Sequence, residues 1–93
     1  MSTTRRIAFR VAGRVQGVGF RASAVGAARR CGATGFVRNR ADGDVEGEAQ
    51  AEAKAIESFA HWLRRGPAFA RVDRVDLTEL PTVAGEATFD VRR

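Results

Sequence analysis

The residues best suited to chemistry are Gly13 to Arg21, "GRVQGVGFR". The stretch holds three glycines and two arginines, with no Ser, Cys, His, Asp or Glu. No side chain here can serve as nucleophile or base. What such a stretch can do is hold an anion. Glycines let successive backbone N–H groups turn inward as a nest. A helix starting near Phe20 adds its uncompensated N–H groups and the positive end of its dipole. Arg21, in the first turn of that helix, can clamp a phosphate or carboxylate through two parallel hydrogen bonds. The same features also describe an ordinary glycine loop with a solvated arginine, and local physics alone leaves both readings open. The spacing matches neither the Gly-Lys-Ser/Thr ending of a P-loop nor the dinucleotide fingerprint.

The remaining reactive residues are better explained by structure than by chemistry. His61 points away from the apolar stripe of its helix, toward solvent. Trp62 falls on the flank of that stripe. Cys31 is most simply a small core residue, and as the only cysteine it excludes an internal disulfide framework. Asp42 and Asp44 flank a hairpin glycine and read as turn residues rather than metal ligands. No His/Cys/carboxylate group has metal-ligand spacing, so no metal is expected.

These residues must be positioned by a small fold. The chain has 93 residues, enough for one domain spanning 1–93 and one core. Ile7, Phe9 and Val11 alternate with Arg6 and Arg10, a half-buried strand. From Phe20 the period becomes helical through Ala24, Ala27, Ala28 and Cys31, with Gly32 as the stop. Gly26 inside this helix weakens it relative to Ala. Thr34 to Arg40 reads as a second strand. Ala41-Asp42-Gly43-Asp44 reads as a hairpin turn, and Val45 to Gln50 as the return strand, with Val45, Gly47 and Ala49 inward. A second helix is expected from about Ala51 to Arg65 on Ile56, Phe59, Ala60 and Leu63, ended by Gly66-Pro67. "ARVDRVDLTEL" reads as a strand whose apolar spacing slips once at a bulge or bend. A short last strand is expected over Ala87 to Arg92.

The order is β-α-β-β-α-β with an extra short C-terminal strand. It predicts an α+β, ferredoxin-like α/β sandwich with two helices on one face of a mostly antiparallel sheet. In that plan the first two strands run the same way. Their C-terminal ends share one edge of the sheet, which brings the Gly13–Arg21 loop near Asn39.

Composition narrows the partners. The formal net charge is +5 and the sequence pI is about 11.2, favouring anionic ligands. Lys54 is the only lysine, and the arginine bias suits phosphate or carboxylate recognition. No apolar run approaches the roughly 18 residues of a membrane span, and "MSTTRR" leads into no signal-like stretch. A cytoplasmic protein without membrane association is expected.

At this point the residues carry a resemblance. "GRVQGVGFR", followed by "TGFVRNRADGDVEGEAQ", resembles the acylphosphatase family. "WLRRGPAFARVDRV" and "ATFDVRR" also fit its pattern, so the resemblance runs from about Arg5 to Arg93. It implies a ferredoxin-like enzyme that hydrolyses the carboxyl-phosphate bond of acyl phosphates without metal or organic cofactor. Arg21 becomes the phosphate-binding arginine. The backbone N–H groups of Gln16, Gly17, Val18 and Gly19 become the cradle, and Asn39 orients the attacking water. Inorganic phosphate is then product and inhibitor, and a monomer is expected. The family often has an aromatic residue and a Thr soon after the arginine; Ala22, Ser23 and Ala24 stand here instead. Whether Ser23 or Arg40 supports the site is left open.

Two alternatives remain. One is an RNA-binding ferredoxin-like module, since "GFVRNR" resembles half of an RNP1 motif. That motif continues with another aromatic, where this chain has Asn39 and Arg40, so base stacking lacks a platform. The other is a free-standing relative of the domain that opens large carbamoyl-transfer maturation proteins, with carbamoyl phosphate as substrate.

Overall fold

A computed structural model describes residues 3–93. The elements are β1 (Thr4–Arg14), α1 (Phe20–Arg30), β2 (Thr34–Asn39), β3 (Val45–Glu52), α2 (Ala53–Arg65), β4 (Arg71–Leu80) and β5 (Phe89–Val91). The strands form one sheet in the order β4-β1-β3-β2-β5. All pairings are antiparallel except β2 with β5, which is parallel. This is the expected ferredoxin-like plan, with the short extra strand added beside β2.

The alternation in β1 carries through to burial. Ile7, Phe9 and Val11 lie in the core, opposite Ala49, Gly47 and Val45 of β3. Both helices cover this face. The amphipathic stripe of α2 buries Ile56, Phe59 and Leu63, while α1 buries Phe20, Ala24, Ala27 and Ala28. Phe59 sits at the centre, edge-on to Phe9 at 5.6 Å and to Phe89 at 5.8 Å between ring centroids. Trp62 closes the flank against Phe20 and Phe59. The slip expected in β4 is real. The ladder pairs Ala12 with Arg74 but Gly13 with Val72, leaving Asp73 as the extra residue of a bulge.

Long-range pairing moves several boundaries. β1 runs past both ends of the Arg6–Val11 run because β3 and β4 pair along it. β3 continues through Glu52, paired to Thr4 and Arg5, so α2 starts at Ala53 rather than Ala51. β2 stops at Asn39 because the Arg40 N–H donates to the Asp44 carbonyl of the hairpin. β5 is shorter than Ala87–Arg92. Cys31 is half-buried at the end of α1, its N–H bonded to the Ala27 and Ala28 carbonyls.

Arg6 departs most from its expected outward place. It does lie on the helix-free face, but its side chain is only 4% exposed. Its Nε donates to Glu48 at 2.8 Å and its Nη1 to Glu86 at 2.8 Å. Gln50 ties the same segment down, exchanging two 2.9 Å hydrogen bonds with the Val83 backbone. Desolvation offsets much of the attraction in such a cluster. Its structural effect is to fix the path of the chain between β4 and β5.

Candidate active site

β1 and β2 are each antiparallel to β3, so their C-terminal ends meet at one edge of the sheet. β5, parallel to β2, ends there too. The N-terminus of α1 completes the convergence. Between them lies a cleft of about 340 Å³ that includes Gly17, Gly19, Arg21, Asn39, Val91 and Arg93 in its walls. The topology thus brings together the loop and Asn39, as the strand order predicts.

The loop is pinned at its ends. Val15 and Phe20 are 1% and 2% exposed and anchor it in the core. Between them Gly17 and Gly19 are exposed, with Gln16 and Val18 half-buried. Gly17 and Gly19 hold φ of 74° and 75°, the left-handed region that glycine occupies without penalty. Gly19 is the N-cap of α1, so no side chain caps the helix, and its first turn has no acidic residue. The first intrahelical bond runs from the Ser23 N–H to the Gly19 carbonyl at 3.0 Å. The N–H groups of Phe20, Arg21 and Ala22 therefore have no intrahelical acceptor. Among the described residues, no backbone hydrogen bond in this loop is donated by Gln16, Gly17, Val18 or Gly19. The result is a concentration of free donors at a positive helix end.

Arg21 and Asn39 differ from their neighbours in being unspent. Among the described residues, most carboxylates near the cleft are engaged elsewhere: Arg10 pairs with Asp42 and Asp44, Arg38 with Glu46, and Arg40 with both Asp42 and Glu46. Arg21 takes part in no ion pair there. The alternation of β2 puts Asn39 on the face of Gly35 and Val37, toward α1. Its Oδ1 is buried and has no hydrogen-bond partner. A buried acceptor that no protein group uses, in a cleft wall, is uncommon, and it points to a bound water or ligand.

Arg40 is held by its carboxylates rather than free at the site. Its hydrogen bond to Glu46, and then Arg38's, hold the Glu46 carboxyl below the usual carboxylate range. Ser23 does not reach the cleft; it lines a separate groove with Gly26, Arg30, Trp62 and Pro67. His61 is exposed, in line with its expected solvent face. Asp42 accepts from the Asp44 N–H at 3.1 Å, the turn role expected of it.

Sequence reasoning missed two features. Val91 and Arg93 reach the cleft only because β5 docks beside β2. The Gln16 side chain, expected to contribute only its backbone, donates through Nε2 to the carbonyls of Arg40 at 2.8 Å and Asp44 at 3.0 Å. No local pattern announces either contact.

A second hollow, on the helix-free face, is lined by Phe36, Arg38, Glu46 and Glu48. Its charges are paired, and Phe36 is covered by the Arg92 guanidinium at 4.0 Å from the ring centroid. It offers no aromatic platform of the kind the RNA-binding alternative requires. No helix among the described residues is long and apolar enough to cross a membrane.

Comparison with known proteins agrees with the geometry. Residues 7–91 match the family model for acylphosphatase. The chain is 48% identical over 84 residues to the acylphosphatase of Methylococcus capsulatus, spanning 90% of each. It superposes on an acylphosphatase from Coxiella burnetii with a TM-score of 0.90 at 38% identity, covering 96% of this chain and 93% of that one. For the acylphosphatase from Bacillus subtilis the values are 0.92 and 34%, covering 96% and 99%. A family model matched over most of the chain, relatives of this identity and coverage, and this fold lead to one conclusion: the chain belongs to the acylphosphatase family and is a hydrolase of that class.

Proposed function

We propose that the cleft between the Val15–Gly19 loop, α1 and the end of β2 is the active site. There the protein hydrolyses an acyl phosphate to a carboxylate and inorganic phosphate. The observation that supports this most is the pairing, in one cleft, of a free Arg21 at an uncapped helix N-terminus with the unpartnered Oδ1 of Asn39.

The division of labour follows from the chemistry. The phosphoryl oxygens take hydrogen bonds from the N–H groups of Gln16, Gly17, Val18 and Gly19 and from the Arg21 guanidinium. Fixed dipoles and a fixed charge stabilise the charge spread over those oxygens without reorganising during the reaction. Asn39 accepts a proton-side hydrogen bond from a water through Oδ1 and aims its oxygen at phosphorus. As the new P–O bond forms, the bond to the carboxyl oxygen breaks. The departing carboxylate is a weak base and needs no acid. The water's proton passes to a phosphoryl oxygen, so no protein base is required.

The same reading makes residues 1–93 a single domain acting as a monomer on a small-molecule substrate, with inorganic phosphate as a competitive inhibitor. A cytoplasmic location goes with this reading, since the free Cys31 suits a reducing compartment. The test is hydrolysis of benzoyl phosphate by the wild type, undiminished by EDTA and competitively inhibited by phosphate. Arg21→Ala is expected to raise the phosphate Ki and lower turnover together, since it removes a contact that holds bound phosphate and strengthens as charge builds on the phosphoryl oxygens in the transition state. Unchanged kinetics in Arg21→Ala would remove the arginine from the site.

A further inference from the structure

The cradle and Asn39 belong to different elements, and their spacing decides whether an aimed water meets phosphorus. Gln16 spans that gap. It is the first cradle residue, and its side-chain amide donates to the Arg40 carbonyl at 2.8 Å and the Asp44 carbonyl at 3.0 Å. Arg40 directly follows Asn39, at the point where β2 leaves the sheet. The second acceptor lies just across the hairpin, where the Arg40 N–H bonds the Asp44 carbonyl at 2.8 Å. One amide nitrogen thus donates twice, joining the loop to both ends of the β2–β3 turn.

We infer that Gln16 is a positioning residue for the hydrolytic water: its side chain sets the distance between the phosphate cradle and Asn39. This rests on the active-site reading above. Val15 and Phe20 hold the ends of the loop, but between them the described residues make few other ties to β2. Phosphate binding itself does not need the Gln16 side chain, because the cradle donors are main-chain and Arg21 sits on α1. Aiming the water does need it. A displacement on the order of 1 Å between reacting groups costs about a hundredfold in rate.

The test is a double-mutant cycle on Gln16 and Asn39, read in benzoyl phosphate turnover and in the phosphate Ki. Gln16→Ala is expected to lower kcat by roughly tenfold to a hundredfold while the phosphate Ki moves less than about threefold. On the Asn39→Ala background, the same substitution is expected to cost less than about threefold, because the group it positions is already gone. Gln16→Met, which keeps the length and volume but cannot donate, should behave as Gln16→Ala does. A phosphate Ki that rises in step with the fall in kcat would mean that Gln16 merely shapes the loop, overturning the inference. So would losses that multiply fully in the double variant. Full activity of Asn39→Ala on its own would instead sink the active-site reading beneath it.

Discussion

Asn39→Ala is expected to separate folding from chemistry. Among the described residues no protein group hydrogen-bonds the Asn39 Oδ1, so its removal breaks no such contact within the fold. Ala forfeits the packing of a half-buried side chain, about 1 kcal/mol for a few atoms. Stability is therefore expected to stay within about 1 kcal/mol of the wild type. Turnover behaves differently. An oriented water is lost, and a fall in kcat of about 10²–10³ corresponds to about 2.7–4 kcal/mol of barrier. The phosphate Ki should barely change, because the cradle and Arg21 are untouched. Urea unfolding and steady-state hydrolysis of benzoyl phosphate read the two quantities side by side. A stability loss above about 2 kcal/mol would show the amide to be a structural anchor. A kcat within about threefold of wild type would show that it does not aim the water.

Gly19→Ala is expected to destabilise the protein by about 1–2 kcal/mol in chemical denaturation. A Cβ there meets no atom within 4 Å, so the cost lies in the left-handed φ of 75° alone. Gly26→Ala should do the opposite. Gly26 lies inside α1 and an added Cβ would meet only the Arg30 Nη1 at 3.4 Å, so a gain of about 0.5–1 kcal/mol is expected, seen as a higher Tm with unchanged kcat. Glu86 is held below the usual carboxylate range chiefly by its hydrogen bond from Arg6. Its contribution is therefore present above the unfolded-state value of about 4.3 and lost as pH falls through the lower folded-state value. Wild type should be more stable than Glu86→Gln near neutrality, with the gap closing on acidification below about pH 4; a gap independent of pH would contradict this assignment.

Much of the site was legible because its chemistry is local. Glycines at 17 and 19 and an arginine at 21 specify a turn into a helix with free donors, whatever surrounds them. The alternation through Ile7, Phe9 and Val11 and the helical stripe through Ile56, Phe59 and Leu63 specify the layers, because burial follows the period of each element. The order of those elements then places Asn39 beside the loop. Other features rest on partners distant in sequence. Arg6 reads as a surface residue until Glu48 and Glu86 close over it. Residues 51 and 52 read as helix until Thr4 and Arg5 pair with them as strand.

The sequence by itself determined a stretch able to hold an anion, a glycine-rich run of N–H groups and one fixed charge set by residue type and adjacent spacing; phosphate as that anion came from the resemblance to a family. Only the tertiary structure decided how that run is aimed. It laid β5 beside β2 and so brought Val91 and Arg93 to the cleft. It left Asn39 unpartnered while the carboxylates around it paired with Arg10, Arg38 and Arg40. It also turned Gln16 into a tie between two elements. The physical reason is range. Turn and helix preferences act over a few residues, whereas the placement of the loop against Asn39 depends on segments that meet only once the sheet has formed.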